Sequence, residues 1–171
     1  MRDSERRTKI LCVVVSLSVC VFFTQPLEAA TNNEFLERLQ GTWQGDGKAF
    51  GMPARLQMKW EWVLERKFLH LSLKTETQRD GKVQTFEGHA YYRSGGEGAY
   101  EGGWFDTRGE SFPINGKVEG DSLTVLWGAP RQEQGKSVYR FLEASKLEVV
   151  DSVKQKDGTW REFGRFVVIR Q

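Results

Sequence analysis

From Gly41 to the C-terminus, apolar and polar residues alternate in short segments separated by glycine-bearing turns, and no apolar run of helical period reaches helix length. A period of two sends successive side chains to opposite faces of a strand, so each segment has one face for a core and one for water. Ten strands are predicted, at residues 41–49, 54–64, 67–77, 83–93, 98–106, 111–118, 122–127, 136–142, 146–154 and 159–170. In the second, Leu56, Met58, Trp60, Trp62 and Leu64 alternate with Arg55, Gln57, Lys59 and Glu61, which sends the apolar set inward. Leu69, Leu71 and Leu73 repeat the device against His70, Ser72 and Lys74, and Leu147, Val149 and Val153 do so later. Asp151 interrupts that last row, so an acid belongs either at a barrel mouth or in a pocket.

The turns set the topology. Arg79-Asp80-Gly81-Lys82, Ser94-Gly95-Gly96-Glu97, Glu119-Gly120-Asp121 and Lys156-Asp157-Gly158 carry the residue pairs that supply positive φ at hairpin bends. The longest and most polar connection, from Gly128 to Gly135, contains Pro130 and reads as a flexible loop. Short hairpins in series predict an all-β fold, a single antiparallel up-and-down barrel of about ten strands, closed on itself so that no edge is left exposed. Before it, Phe35, Leu36 and Leu39 lie at helical spacing behind the capping residues Thr31, Asn32 and Asn33, so residues 33–40 form one short helix suited to plug a barrel end.

Residues 1–30 read as an export signal rather than as part of the fold. Arg2, Arg6, Arg7 and Lys9 make a basic start, Ile10 to Phe23 is an apolar run of 14 residues, and Glu28-Ala29-Ala30 ends in small residues suited to cleavage. The run is short for a bilayer span. Residues 31–171 then form one barrel domain, periplasmic or extracellular, with no membrane insertion after cleavage. Both cysteines, Cys12 and Cys20, fall in the leader, so the mature chain has no thiol, no disulfide and no cysteine-based metal site. Removing the leader takes away four basic and three acidic side chains and lowers the formal charge from +2 to +1. A body this close to neutral has no footprint for nucleic acid.

The opening Gly41-Thr42-Trp43-Gln44-Gly45-Asp46-Gly47, behind a short helix, resembles the Gly-x-Trp start of the lipocalin-like (calycin) barrels. That resemblance implies that Trp43 closes the barrel floor under an arginine of the last strand, here Arg165 or Arg170. The Trp60 to Leu64 strand and the Trp104-Phe105-Asp106 segment are similar to an exported bacterial lipocalin-like family of unknown function. The opening at Gly41 to Gly47, Pro53, the Trp/Leu-rich second strand and Phe86 to Arg93 are together also similar, more distantly, to nitrobindin-type haem barrels. Those barrels hold iron through a histidine near the C-terminus, and residues 139–171 contain none, so haem held in that way is not expected and no cofactor is implied.

Catalytic chemistry has few footholds. The two histidines, His70 and His89, lack the cysteine or second close histidine of a metal set. No Gly-x-Ser-x-Gly elbow and no phosphate-cradling loop ahead of a long helix is present. Glu87 and His89 share one strand face, about 7 Å apart, and with His70 are the acid–base candidates, whereas carboxylate pairs such as Glu61 with Glu65 or Glu101 with Asp106 more usually solvate an outer face. The aromatic inventory instead describes pocket walls, with Trp60, Trp62, Leu71, Phe86, Tyr92, Trp104, Trp127 and Tyr139 as the candidate ligand contacts. The expected partner is a small apolar or amphipathic molecule, sequestered or carried. The competing readings are an isomerase or hydrolase acting on a hydrophobic substrate, and a ligand-free structural protein of the cell envelope.

Overall fold

The computed structural model describes residues 34–171, so the proposed export signal lies outside the described residues. A helix, α1, spans residues 34–39. Ten strands follow: β1 Gly41–Ala49, β2 Met52–Val63, β3 Phe68–Arg79, β4 Lys82–Gly96, β5 Ala99–Asp106, β6 Ser111–Glu119, β7 Ser122–Gly128, β8 Gln134–Glu143, β9 Lys146–Lys154 and β10 Trp160–Arg170. Each pairs antiparallel with its sequence neighbours, and β1 pairs with both β2 and β10, so the sheet closes into an all-β up-and-down barrel.

Two-residue hairpins account for several closures. Arg79 pairs with Lys82 across Asp80 and Gly81, whose φ values of 52° and 73° are the left-handed pair such a bend requires. The next bend lies further along than the sequence indicated. Strand β4 runs on to Gly96 through an irregularity at Ser94, and the turn is made by Glu97 and Gly98. Leu64, read as the last inward residue of the second strand, is instead exposed, because β2 ends at Val63 and Leu64, Glu65 and Arg66 all take positive φ in the turn. The expected loop after Gly128 spans only residues 129–133, since β8 begins at Gln134.

One end of the barrel is sealed. Phe35, Leu36 and Leu39 of α1 are buried against Trp43, and the Phe35 and Trp43 rings meet Phe141 edge-on at 5.1 and 5.9 Å. Ion pairs from Arg38 to Asp121 and from Glu37 to Arg66 tie α1 to two turns of the same end. The Trp43 indole N–H donates to the Leu39 carbonyl at 2.7 Å, and the Arg170 guanidinium lies 4.3 Å over the indole ring while donating to the carbonyls of Arg38 and Gln40. Of the two arginines anticipated over Trp43, Arg170 takes the place. Arg165 has the opposite parity and pairs on the outer wall with Glu148 and Glu162.

Above this floor the barrel is packed solid. Trp60, Met58, Leu69 and Leu71 are fully buried, each large side chain contributing about 1.5–3 kcal/mol by its transfer from water. Trp60 supports the next layer, with its ring 5.6 Å from Tyr92 and 5.2 Å from Tyr139. Beyond those two tyrosines the interior opens.

Candidate functional site

The half of the barrel opposite α1 encloses a cavity of about 430 Å³ whose lining reaches Phe50 of the β1–β2 connection, Arg108 of β5–β6 and Glu133 of β7–β8. Its walls are aromatic. Phe86 and Trp104 stack at 6.3 Å on one side, and Phe112 and Trp127 pack at 5.7 Å on the other. The indoles lie flat against glycines on neighbouring strands: a Cβ built on Gly88 would fall 2.1 Å from the Trp104 ring, and one on Gly135 would fall 1.8 Å from the Trp127 ring. Phe50, exposed at the rim, stacks on Phe163 at 5.0 Å.

Polar groups gather at two levels. Near the mouth, Arg108 holds the buried carboxylate of Asp106 at 2.8 Å and reaches Glu133 of the β7–β8 connection at 3.2 Å. Trp104 donates its indole N–H to the same Asp106 at 3.0 Å, so one carboxylate orients both a wall indole and the arginine near the mouth. The pKa of Asp106 lies below the usual carboxylate range, because hydrogen bonds from Arg108 and Trp104 outweigh its desolvation, the largest single influence.

Deeper, Asp151 of β9 lines the cavity and accepts a 2.6 Å hydrogen bond from Ser137 on the paired strand β8. Enclosure among apolar side chains pushes its pKa up to about 6, with the Ser137 bond pulling the other way. Tyr139 interacts with the hydroxyls of Tyr92 and Ser137, and burial raises the pKa of both phenols above the ordinary tyrosine value. On the far side Asp151 pairs with Gly164, next to an irregularity between Glu162 and Gly164 that turns both Phe163 and Gly164 toward the cavity.

Of the anticipated ligand contacts, Phe86, Tyr92, Trp104, Trp127 and Tyr139 are brought together around the cavity. Trp60 and Leu71 lie in the packed half below it, and Trp62 sits toward the sealed end under the Arg66 guanidinium, 5.2 Å away. The acid–base candidates all face outward. His70 Nε2 meets His89 Nδ1 at 2.9 Å on the outer wall, with Glu61 3.5 Å from the other His70 nitrogen and Tyr91 stacked at 4.6 Å. Glu87 is exposed on the same wall. Strand parity decides this, since Leu69, Leu71 and Leu73 take the interior and leave His70 outside. Asp151 was visible in the sequence as a break in an apolar row. Ser137, Gly88 and Gly135 carried no signal, because their roles depend on which residue faces them across the ladder.

No family model matches this sequence, and no curated protein does. Among solved structures the barrel is similar to Rv2717c from M. tuberculosis, at 18% identity and a TM-score of 0.64, covering 82% of this chain and 97% of that one. It is also similar to the S-type phycobiliprotein lyase CPES from Guillardia theta, at 11% identity and a TM-score of 0.57, covering 86% and 98%. At these identities the likeness is one of fold, a closed antiparallel barrel of lipocalin-like architecture.

Proposed function

We propose that this chain is an exported carrier or scavenger that takes a small amphipathic molecule into the open half of its barrel. The observation that carries the reading is the division of the interior: solid packing up to Tyr92 and Tyr139, then a cavity of about 430 Å³ with aromatic walls and one deep carboxylate. Apolar burial supplies affinity at about 25 cal/mol per Å², and a few convergent polar groups supply orientation. A ligand-free structural role accounts poorly for such a hollow, since each unfilled volume forfeits packing energy. The barrel-enzyme reading loses its named groups, because His70, Glu87 and His89 are on the outer wall. Neither histidine lines the cavity, so it offers no imidazole to a haem iron. The export signal at residues 1–30 and kinship with the exported bacterial lipocalin-like family belong to the same proposal.

Native mass spectrometry of protein purified from its own host tests this reading. A retained adduct that is lost in Trp127→Ala supports it, whereas a bare mass and failure to bind any apolar probe would sink it.

A further inference from the structure

The interior holds one acid without a countercharge. Asp151 Oδ1 accepts from Ser137, but among the described residues nothing donates to Oδ2 and no cation pairs with the carboxylate. The groups around it are neutral: Ser137 and Tyr139 from β8, Tyr92 from β4, and Gly164 and Phe166 from β10. Gly164 leaves the flank of the carboxylate open, since a Cβ there would fall 3.2 Å from Oδ2. The cationic lining residues are Arg108, already held by Asp106 and Glu133, and Arg161, exposed at the mouth.

An enclosed carboxylate is costly unless a partner compensates it. A carboxylate ligand entering the cavity would meet like charge at its depth. A purely apolar one would strip the remaining water from Asp151 and offer nothing in return. A protonated amine does the opposite, gaining a charge-assisted hydrogen bond to Oδ2 inside a cavity lined by aromatic rings.

We propose that the ligand is an amphipathic amine whose protonated nitrogen docks on Asp151 Oδ2, with its apolar body along Phe86, Trp104, Phe112 and Trp127. This rests on the cavity-binding reading above and names the chemical class that it takes. Ionised Asp151 is the binding form, so acidification through the range in which it gains its proton releases an amine but not a neutral ligand.

Isothermal titration with n-octylamine, n-octanol and n-octanoate, which share one tail, tests the assignment. At pH 7.5 octylamine is expected to bind at least tenfold more tightly than octanol, and octanoate least of all. In Asp151→Asn the advantage of the amine over the alcohol is expected to vanish. Independently of any variant, lowering the pH from 7.5 to 5 is expected to weaken octylamine about tenfold without weakening octanol, as protonation of a carboxylate titrating near 6 dictates. Equal or tighter binding of octanol or octanoate, or an amine preference that survives in Asp151→Asn, would overturn the amine assignment and leave the cavity reading standing. If none of the three binds, both readings fall.

Discussion

Arg170, the penultimate residue, lies over the ring of Trp43 at 4.3 Å and donates to the backbone carbonyls of Arg38 and Gln40, so the last strand clamps the first strand and the helix in one contact. Burial and the neighbouring Arg38 lower the guanidinium pKa from its ordinary value, yet it stays charged. Arg170→Ala leaves two carbonyls near the barrel floor without donors and removes the cation from the ring. A loss of about 2–4 kcal/mol is expected, read as a lower urea midpoint with unchanged slope. Arg170→Lys is expected to recover less than half of it, because an ammonium cannot reach both carbonyls in one plane.

Asp151 sets a second expectation, in stability rather than binding. Its folded pKa of about 6 lies above that of an exposed aspartate, so the folded state holds this proton more tightly than the unfolded chain does. Its favourable contribution is fully present below pH 4 and is lost as the pH rises through 6. At pH 7.5 the ionised form therefore costs about 3 kcal/mol. Asp151→Asn is expected to raise stability by up to that amount at pH 7.5 and to change it little at pH 4, as measured by urea unfolding at both values. Equal effects at the two pH values would contradict the enclosure of this carboxylate.

His70 works in the reverse sense. Burial, its largest influence, lowers its pKa, with Glu61 opposing and His89 adding to the shift. The folded state binds this proton less readily than the unfolded chain, so stability is lost as the pH falls through 6.5 toward the folded value. An NMR titration of the ring protons should place the His70 midpoint below 6.5. In an Asp151→Asn background, which removes the opposing titration, His70→Gln should flatten the decline in stability between pH 7 and 5.

Trp127 keeps its place in the cavity wall because Gly135 has no side chain. Gly135→Ala would put a methyl group 1.8 Å from the indole and force the ring to move. The expected outcome is a shift in tryptophan emission and a loss of about 1–3 kcal/mol from overpacking. Apolar probe binding should fall at least fivefold, while Leu126→Ala, an exposed change on the strand that carries Trp127, leaves both readings unaltered.

Much of this architecture was legible in the order of residues. Alternation at Leu56, Met58 and Trp60, with Asp80-Gly81 at a bend, names strands, inward faces and hairpins locally, because a pleat has a period of two and a tight bend needs positive φ. The same rule put His70 outside, and it marked Asp151 as an acid in an apolar row. Leu64 escaped it because the strand stopped one residue earlier than the pattern did. The local order was silent on which inward side chains fill the interior and which line a hollow. Trp60 and Trp127 have the same parity signal, yet one is sealed under two tyrosines and the other faces the cavity. That difference depends on height along the barrel axis and on partners brought in by closure: Tyr92 and Tyr139 over Trp60, Gly135 behind Trp127, Ser137 and Gly164 on either side of Asp151. Periodicity along a chain carries the face of each residue, whereas level and neighbours arise only when β1 and β10 meet.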